Sequence, residues 1–461
     1  MTASQASAAI RDGQLTSVEL VSSCLSRIRE LESRIQAWVT VDDEGALEQA
    51  TRLDIEMEAG TTKGALHGVP VGIKDLYCTA GLKTTAGSPI LADFVPDHDA
   101  AVVANLRRAG AVVLGKTVTT EWAASDAPPT RNPWNLAHTP GGSSSGSGAA
   151  VASRMCPGAT GTQAAGSVVR PAAYNGVVGL KPTYGLLDRT GLMSHCWSVD
   201  HPGILVRTVE DAAIFLEAMV GQRPESDTEK IRTVPRYSDG LGRLDEAPRI
   251  GFMRQFYMEA ASKELAAHVE STVQLLASAG AEIIDVTFPG DPELVLAAHW
   301  TIMKVEFAAA QEGLFAEKSE MYSPHVRGLI EVGQLIPGSA YVQALRVRNR
   351  FRRSASAAAD RVDALLAPAA EAAPEILGGN ALAPKAVPQT GDHSFQMPWS
   401  FSGLPALSLP SGLNSQGLPL AIQLIGAPLS EDLLLQTAAW CERALGVSLQ
   451  PPVEDLIAKG R

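Results

Sequence analysis

The N-terminal part of the chain has hydrophobic positions at helical spacing. Thr16-Ser17-Val18-Glu19 has the form of a capping box, in which the first hydroxyl and the last carboxylate satisfy backbone N–H groups at a helix start. Apolar residues then recur on one helix face at Leu20, Val21, Cys24, Leu25, Ile28 and Leu31. This spacing predicts an amphipathic helix. A second helix is predicted from about Glu44 to Glu58.

Short apolar and β-branched runs alternate with the helical patterns. Val69 to Ile73 is typical of a buried strand, and Lys74 follows at its C-terminal end. A helix that stops at Gly110 and a strand over Ala111 to Gly115 come next. This alternation indicates helices layered on a sheet, an α/β fold. In open sheets of this class the carboxyl ends of the strands face the binding crevice, so Lys74 is a candidate site residue.

No internal repeat and no low-complexity linker divides the chain, so we predict a single domain over 1–461. Residues 222–248 are polar and charged, and we expect them to form a surface excursion. The later Ala-rich, helical stretch is expected to form the variable wall of a substrate pocket. The predicted parts are N-terminal helices at 1–60, a core at 65–220, the helical wall at 290–360 and a C-terminal sheet and helix part at 361–461.

Composition and charge exclude several classes of function. The chain has 461 residues, 45 % hydrophobic and 19 % charged, with a net charge of −12. Such a composition argues against a broad surface for nucleic acid or anionic membranes. No apolar run reaches the ~18 residues of a membrane span, and no signal peptide precedes the chain's first helix. The five cysteines form no CxxC pair and the nine histidines no metal-binding spacing. We therefore predict a cytoplasmic protein with no metal and no cofactor.

Residues 139–171 combine two Gly/Ser-rich turns with a run of small apolar residues. The first turn is Gly141–Gly148, a helical run follows over Ala149–Met155, and the second turn is Gly161–Ser167. Small side chains let backbone N–H groups approach a ligand closely. No Gly-Lys-Ser/Thr ending completes a Walker loop, and no hydrophobic strand precedes the glycines as a dinucleotide fingerprint requires. A flexible linker is the remaining alternative, but the apolar helical run argues against it.

Four segments carry a resemblance to a known family of enzymes. Gly-Val-Pro-Val-Gly-Ile-Lys-Asp stands at 68–75 and Gly-Gly-Ser-Ser-x-Gly-Ser-x-Ala-Ala-Val-Ala at 141–152. Gly-Ser-x-x-Arg-Pro follows at 166–171 and Gly-Val-Val-Gly-Leu-Lys-Pro-Thr at 176–183. In this pattern the chain resembles the amidase signature family of serine hydrolases. The resemblance implies a three-layer α/β/α sandwich with a mixed central β-sheet.

The resemblance also implies a triad of two serines and a lysine. Carried over by motif, Ser167 is the nucleophile, Ser143 is the bridging serine that this family holds in a cis peptide, and Lys74 is the general base. Free lysine has a pKa of about 10.4, and burial lowers it because desolvation disfavours the ammonium. A serine nucleophile with a lysine base is a known variant of triad chemistry. Without the family pattern, Lys74 would be interpreted as a solvated charge at a strand end, and Ser143 as a cap of the helix that follows.

Further positions carried over by motif would support this triad. The backbone N–H groups expected to form the oxyanion hole are those of Ala164, Ala165, Gly166 and Ser167. The supporting residues are Gly142, Ser144, Thr162 and Arg170. We expect Ser144 to join the hydroxyl network and Arg170 to hold the turn rather than to touch the substrate.

The predicted reaction is hydrolysis of a carboxamide C–N bond through an acyl-enzyme, with a small aryl or alkyl amide or an anilide as substrate. Aromatic residues near the wall suit such a substrate, although core packing explains each equally well: His195, Trp197, Trp300, Phe307 and Trp399. Carbamate cleavage by the same triad, a urethanase activity, stays open because the carbonyl geometry is nearly the same.

Two further alternatives belong to other classes of protein. One is an ammonia-supplying subunit of an amidotransferase, which needs a protein partner. Gln163 and Ala165-Gly166 argue against the tRNA-linked subunit, because many family members carry Asp and Gly-Gly at these positions. The other is a non-catalytic binding protein on the same scaffold. The expected partner is a small amide or carbamate, with no nucleic acid and no membrane; a homodimer is one oligomeric state that the sequence leaves open.

Overall fold

The computed structural model describes all residues except 125, 222–235, 243, 245, 377–389 and 459–461, with the backbone alone at 456–458. Most of the surface excursion predicted at 222–248 therefore lies outside the described residues. The strands are β1 Trp38–Val41, β2 Pro70–Lys74, β3 Val112–Thr117, β4 Gly158–Gln163, β5 Val178–Lys181, β6 His201–Val206, β7 Arg249–Phe252, β8 Glu282–Asp285, β9 Ala364–Pro368, β10 Ala406–Leu413 and β11 Pro419–Ile425. The helices are α1 Ala3–Arg11, α2 Ser17–Ile35, α3 Asp43–Glu58, α4 Ala101–Arg108, α5 Ser145–Ala152, α6 Val169–Asn175, α7 Val209–Val220, α8 Tyr257–Ala260, α9 Lys263–Ser278, α10 Pro292–Lys318, α11 Pro324–Leu335, α12 Gly338–Ala359, α13 Met397–Ser402, α14 Glu431–Leu445 and α15 Val453–Ala458.

All the strands of the described chain join one mixed sheet. Their order is β1-β3-β2-β4-β6-β5-β10-β11-β9-β7-β8. Strand β2 is parallel to β3 and β4, whereas β4–β6 and β5–β10 are antiparallel pairs. Strands β2, β3, β4 and β6 are buried at every residue. Strands of this kind have helices on both faces, so the predicted three-layer sandwich with a mixed sheet is confirmed.

Local sequence signals account for the elements around the candidate site. Helix α2 starts after Thr16, whose side chain accepts from Glu19 N at 3.1 Å while the Glu19 carboxylate accepts from Thr16 N at 2.9 Å. The capping box is therefore confirmed. Strand β2 ends at Lys74, as its apolar run predicts.

Two segments around the Gly/Ser-rich stretch differ from the prediction. Helix α5 begins at Ser145 rather than Ala149, and Gly146 in its first turn packs so closely that a Cβ there would lie 2.1 Å from the Ala37 carbonyl oxygen. The segment Gly161–Gln163, predicted as a turn, belongs to β4. At Gly158 of the same strand a Cβ would lie 2.4 Å from the Phe215 ring. Small residues in this segment permit close packing of helices on the sheet. Because turns are rich in the same small residues, the segment was predicted as a turn.

The predicted wall is helical, formed by α10, α11 and α12, and α10 packs against both of the others. Helix α12 carries several arginines, and the guanidinium of Arg348 turns inward, where it donates to Phe401 O at 2.9 Å and to Ser198 O at 2.5 Å. It thereby ties the wall to the segment that follows β5.

Candidate active site

Lys74 stands at the C-terminal end of β2 with no exposed side-chain surface. Its Nζ lies 2.8 Å from Ser143 Oγ and donates to Ser144 Oγ at 3.0 Å and to Thr162 Oγ1 at 2.7 Å. The parallel pairing of β2 with β4 brings Thr162 beside the lysine, and α5 follows directly on the two serines. Within the described residues no carboxylate lies within ion-pair distance of this amine.

Two other lysines are equally buried at strand ends but have different partners. Lys116 Nζ lies 3.4 Å from Asp75 Oδ1, and burial lowers its pKa to about 8 against the opposing effect of that carboxylate. Lys181 Nζ donates to Leu404 O at 2.5 Å, and burial lowers its pKa to about 7. Among the described lysines, only Lys74 is bonded to serine hydroxyls, so geometry singles it out.

Burial also sets the protonation state of Lys74. Desolvation lowers its pKa well below the usual value, and the nearby Asp200 opposes this shift in part. A neutral amine has a lone pair and can accept a proton, whereas an ammonium can only donate. The site therefore favours the form of lysine that a general base requires.

The two serines that contact Lys74 differ in whether their hydroxyl proton has another acceptor. Ser144 Oγ donates its single proton to Ser167 O at 2.5 Å, so its oxygen can only accept from Lys74. Ser143 Oγ has no acceptor among the described residues other than the amine of Lys74. The proton of Ser143 is thus free to move between that amine and the cavity, which is what a relay requires.

The peptide bond between Gly142 and Ser143 is cis, as the resemblance implies for the bridging serine. Arg170 holds this bond from behind: its Nη2 donates to Gly142 O at 2.5 Å and its Nη1 to Gly391 O at 2.6 Å. Nη1 also lies 2.9 Å from His393 Nδ1. Arg170 therefore links the first turn to the 390–393 segment, in keeping with the predicted holding role.

The turn after β4 has a row of backbone N–H groups that no described residue accepts from. Gln163 Oε1 accepts from Val168 N at 2.9 Å and from Val169 N at 3.0 Å, and its Nε2 donates to Ser400 Oγ at 3.0 Å. These bonds connect the two ends of the turn to each other and to α13. No acceptor within the described residues takes the N–H groups of Ala164, Ala165, Gly166 and Ser167. Such a row beside a serine is suited to an oxyanion, and its role stays a prediction.

Ser143 and Ser167 line the same cavity. The core side also contributes Thr162, Ala164, Ala165 and Arg170, while Lys74, Ser144 and Gly166 lie behind the surface. The remaining lining residues are Ala123, Ala124, His195, Asp200, Trp300, Met303, Leu329 and His393. The cavity therefore lies between the core and the helical wall.

The aromatic candidates divide into two groups. His195 and Trp300 line the cavity, whereas Phe307 stacks behind His195 at 4.3 Å between ring centroids. Trp399 is fully buried and Trp197 is 44 % exposed, and neither is part of the described lining. Core packing thus accounts for Phe307 and Trp399. Sequence reasoning missed Asp200 and His393, because single polar residues far from the motifs carry no local signal.

No helix in the described parts of the chain is long and apolar enough to cross a membrane. No group of three or more His, Cys, Asp or Glu side chains that could hold a metal ion occurs among the described residues.

Comparison with known proteins identifies the family. The sequence profile of the family described as Amidase matches residues 19–435. The chain belongs to the amidase signature family. A glutamyl-tRNA(Gln) amidotransferase subunit of Azorhizobium caulinodans is 35 % identical over 491 residues, covering 99 % of this chain and 98 % of the relative. Among solved structures, 6-aminohexanoate cyclic dimer hydrolase superposes with a TM-score of 0.87 at 28 % identity, covering 98 % of this chain and 99 % of that one. Peptide amidase from Stenotrophomonas maltophilia gives 0.83 at 31 % identity, covering 98 % of both chains.

As a member of the amidase signature family, the chain is an enzyme that acts on amide C–N bonds. The cis peptide bond and the contact between Lys74 and Ser143 are formed by residues of the family motifs at 68–75 and 141–152. The family spans chains whose names refer to different substrates, so membership alone leaves the substrate open.

Proposed function

We propose that the chain hydrolyses the C–N bond of a carboxamide with Ser167 as nucleophile, Ser143 as relay and Lys74 as general base. The observation that carries this proposal is the bond of 2.8 Å between the wholly buried Nζ of Lys74 and Ser143 Oγ, a serine that borders the same cavity as Ser167. A buried amine with only hydroxyl partners has no evident structural purpose, because burying an amine is costly unless it is paired with an opposite charge.

The steps follow from the direction of proton movement. Neutral Lys74 takes the proton of Ser143, which takes that of Ser167 as Ser167 Oγ attacks the carbonyl carbon. The oxygen of the tetrahedral intermediate binds the free N–H groups of the turn. The lysine proton returns through Ser143 to the leaving nitrogen, the C–N bond breaks, and an ester forms on Ser167. Water attacks that ester with the same relay and releases the acid.

A small aryl or alkyl amide or an anilide is the substrate that the cavity surface suits. Its apolar surface consists of Trp300, Met303 and Leu329 of the wall together with Ala123 and Ala124, which pack in the same apolar cluster as Leu329. These side chains stabilise apolar groups through burial. A carbamate has the same planar carbonyl next to nitrogen, so carbamate cleavage remains within the proposal.

A second candidate is the ammonia-releasing subunit of an amidotransferase. The full-length similarity to the Azorhizobium amidotransferase subunit, with 35 % identity, favours it over a free-standing amidase for aryl amides. In that case the same serine and lysine release ammonia from a donor amide, and a partner protein uses the ammonia. The chemistry at Ser167 is common to both candidates; they differ in the acyl group and in the need for a partner.

The test is release of amine or ammonia from four substrates: a primary alkyl amide, an anilide, an aryl carbamate and glutamine. The native chain and Ser167→Ala run side by side. Turnover of any substrate that is lost in Ser167→Ala supports the proposed chemistry, and turnover that persists in Ser167→Ala contradicts it. Activity confined to glutamine, with a protein partner that co-purifies with the tagged chain and raises it, favours the second candidate.

A further inference from the structure

Two histidines stand at opposite ends of the cavity wall. Trp300 and His393 meet edge to face with ring centroids 5.0 Å apart, and Phe307 stacks on His195 at 4.3 Å. Trp300 and Phe307 are both on α10, seven residues apart, which corresponds to about 10 Å along a helix. Met303 lies between them and also lines the cavity. The cavity thus has an imidazole near each end and an apolar middle.

The partners of His393 fix the position of its proton. Arg170 Nη1 lies 2.9 Å from His393 Nδ1, and a guanidinium can only donate. Nδ1 must therefore accept, so the proton of the neutral ring is on Nε2. Burial lowers the pKa of His393 to about 3, and the charge of Arg170 acts in the same direction. No acceptor for Nε2–H exists within the described residues, and His393 borders the cavity.

His195 has the opposite arrangement. Its Nδ1 lies 2.8 Å from Trp122 O, and a carbonyl oxygen can only accept. Nδ1 therefore carries the proton, and Nε2 presents a lone pair. Burial lowers the pKa of His195, which keeps the ring neutral. In the part of the chain that the structure describes, no donor occupies Nε2, and this residue also borders the cavity.

We propose that His393 and His195 are specificity-determining residues, with His393 Nε2–H binding a carbonyl oxygen of the substrate and His195 Nε2 binding a substrate N–H group. This inference rests on the proposed function, because the oxygen of the scissile amide is taken by the N–H row beside Ser167. The oxygen at His393 must then belong to a second carbonyl group. The substrate class is therefore a linear amide that carries a second carbonyl on its acyl chain.

Charge selects a neutral second group. Asp200 borders the cavity, and its Oδ2 accepts from His195 N at 2.7 Å, so a carboxylate is fixed on this surface. The four Nη protons of Arg170 are already donated to Gly142 O, Thr390 Oγ1, Gly391 O and His393 Nδ1. A second carboxylate on the substrate would therefore gain no direct bond to this cation at the His393 end, and the carboxylate of Asp200 at the His195 end would repel it from a greater distance. A carboxamide is the favoured group, which makes the substrate a diamide.

The test measures how far amides protect Ser167 from a fluorophosphonate, which labels activated serines and needs no turnover. The probes are butanediamide, pentanediamide and hexanediamide, and each is compared with the monoamide of the same chain length. Hexanedioic acid is compared with hexanediamide. On the native protein we expect at least one diamide to protect at a concentration about tenfold lower than its monoamide, the effect of one well-placed hydrogen bond. The diacid is expected to protect less well than its diamide.

Asparagine variants locate the contact. The carboxamide of His393→Asn can still accept from Arg170 at the Nδ1 position but does not reach the Nε2 position, so the diamide advantage is expected to vanish. His393→Gln can place an N–H near the Nε2 position and is expected to restore part of it. His195→Asn is expected to reduce the preference for hexanamide over its N,N-dimethyl derivative. His268→Asn, on the outer helix α9, is the matched control and retains the native ratios.

The outcomes separate this inference from the proposed function. If Ser167 of the native protein is not labelled, both fail. If Ser167 is labelled but no diamide protects better than its monoamide, the inference alone is overturned, whatever the variants do. It is also overturned if His393→Asn folds, is labelled and keeps the diamide advantage.

Discussion

The lysine–serine core and the helical wall border one cavity but are built in opposite ways. In the core, β2, β4 and α5 are buried at every residue, and β4 and α5 consist mostly of Gly, Ala, Ser and Thr. In the wall, α10, α11 and α12 are partly exposed and contribute large side chains such as Trp300 and Met303.

This difference has a physical basis. A hydroxyl network around an amine keeps its geometry only where water is excluded and where backbones approach closely enough to exchange hydrogen bonds. The wall has to fill space against a substrate, and its side chains can change without disturbing that network. We therefore expect core substitutions to abolish the chemistry and wall substitutions to change which substrate is preferred.

The largest effect is expected for Ser167→Ala. Removing the nucleophile of a serine hydrolase typically lowers kcat by 10⁴-fold or more, on the order of 10⁶ in one enzyme. We expect amine release to fall by at least about 10⁴-fold, measured as kcat/KM on the best of the four substrates. The melting temperature should stay close to native, since only one hydroxyl is lost. Retention of even one tenth of the activity would assign the attack to another residue.

Lys74→Met is expected to lower kcat/KM by on the order of 10³-fold or more, because the relay loses its base. Its stability should not fall, since a buried amine is replaced by an apolar chain of similar length. The matched control is Lys116→Met, which leaves Asp75 buried without its cation 3.4 Å away. That variant should lose about 3–5 kcal/mol of unfolding free energy.

Denaturant unfolding and activity of the two variants give the comparison. If Lys74→Met unfolds as easily as Lys116→Met and keeps its activity, then Lys74 is a structural residue and the roles of the two lysines are misassigned.

The pH dependence is expected to show a rise of kcat/KM of about tenfold per pH unit up to the pKa of Lys74, followed by a plateau. Since burial lowers that pKa, the plateau should begin well below the value of about 10.4 for free lysine. For stability the sign is opposite to that of a paired lysine: the folded protein binds the Lys74 proton less tightly than the unfolded chain, so this group destabilises the fold increasingly as pH falls below about 10.4. A profile that first rises near pH 10 would contradict the assignment.

The smallest effect is expected for the half-buried Leu329 of the wall. Leu329→Ala should change kcat for a primary amide by less than about threefold, while the ratio of kcat/KM for an anilide over that amide rises several-fold because the cavity widens by three carbon atoms. Steady-state kinetics with both substrates provide the readout. A loss of activity comparable to that of Lys74→Met would place chemistry in the wall.

The core of the fold could be predicted because its signals are local. The capping box at Thr16, the apolar run that ends at Lys74 and the helical pattern of the wall each follow from a few adjacent residues. The segment Gly161–Gln163 of β4 was misread as a turn, since its small residues reflect close packing with residues distant in sequence, such as that of Gly161 against Leu205. Helices α1, α6, α8, α13 and α15 and strands β1 and β6 were not predicted individually, for they are short or contain proline or glycine.

The candidate site divides in the same way. Its lysine and serines could be located through the family motifs, and the structure brings Lys74, Ser143, Ser144 and Thr162 within hydrogen-bond distance. Asp200, His393 and Leu329 reach the cavity from three separate parts of the chain, and only the folded sheet and wall bring them together.

The most direct test of the central claim is to trap the acyl-enzyme. The protein is mixed with an activated aryl ester, quenched in acid during turnover, digested and analysed by mass spectrometry. We predict that native protein carries the acyl group on the hydroxyl of Ser167, and that Ser167→Ala and Lys74→Met carry none. An acyl group on Ser143 or on one of the cysteines, or unchanged acylation in Lys74→Met, would contradict it.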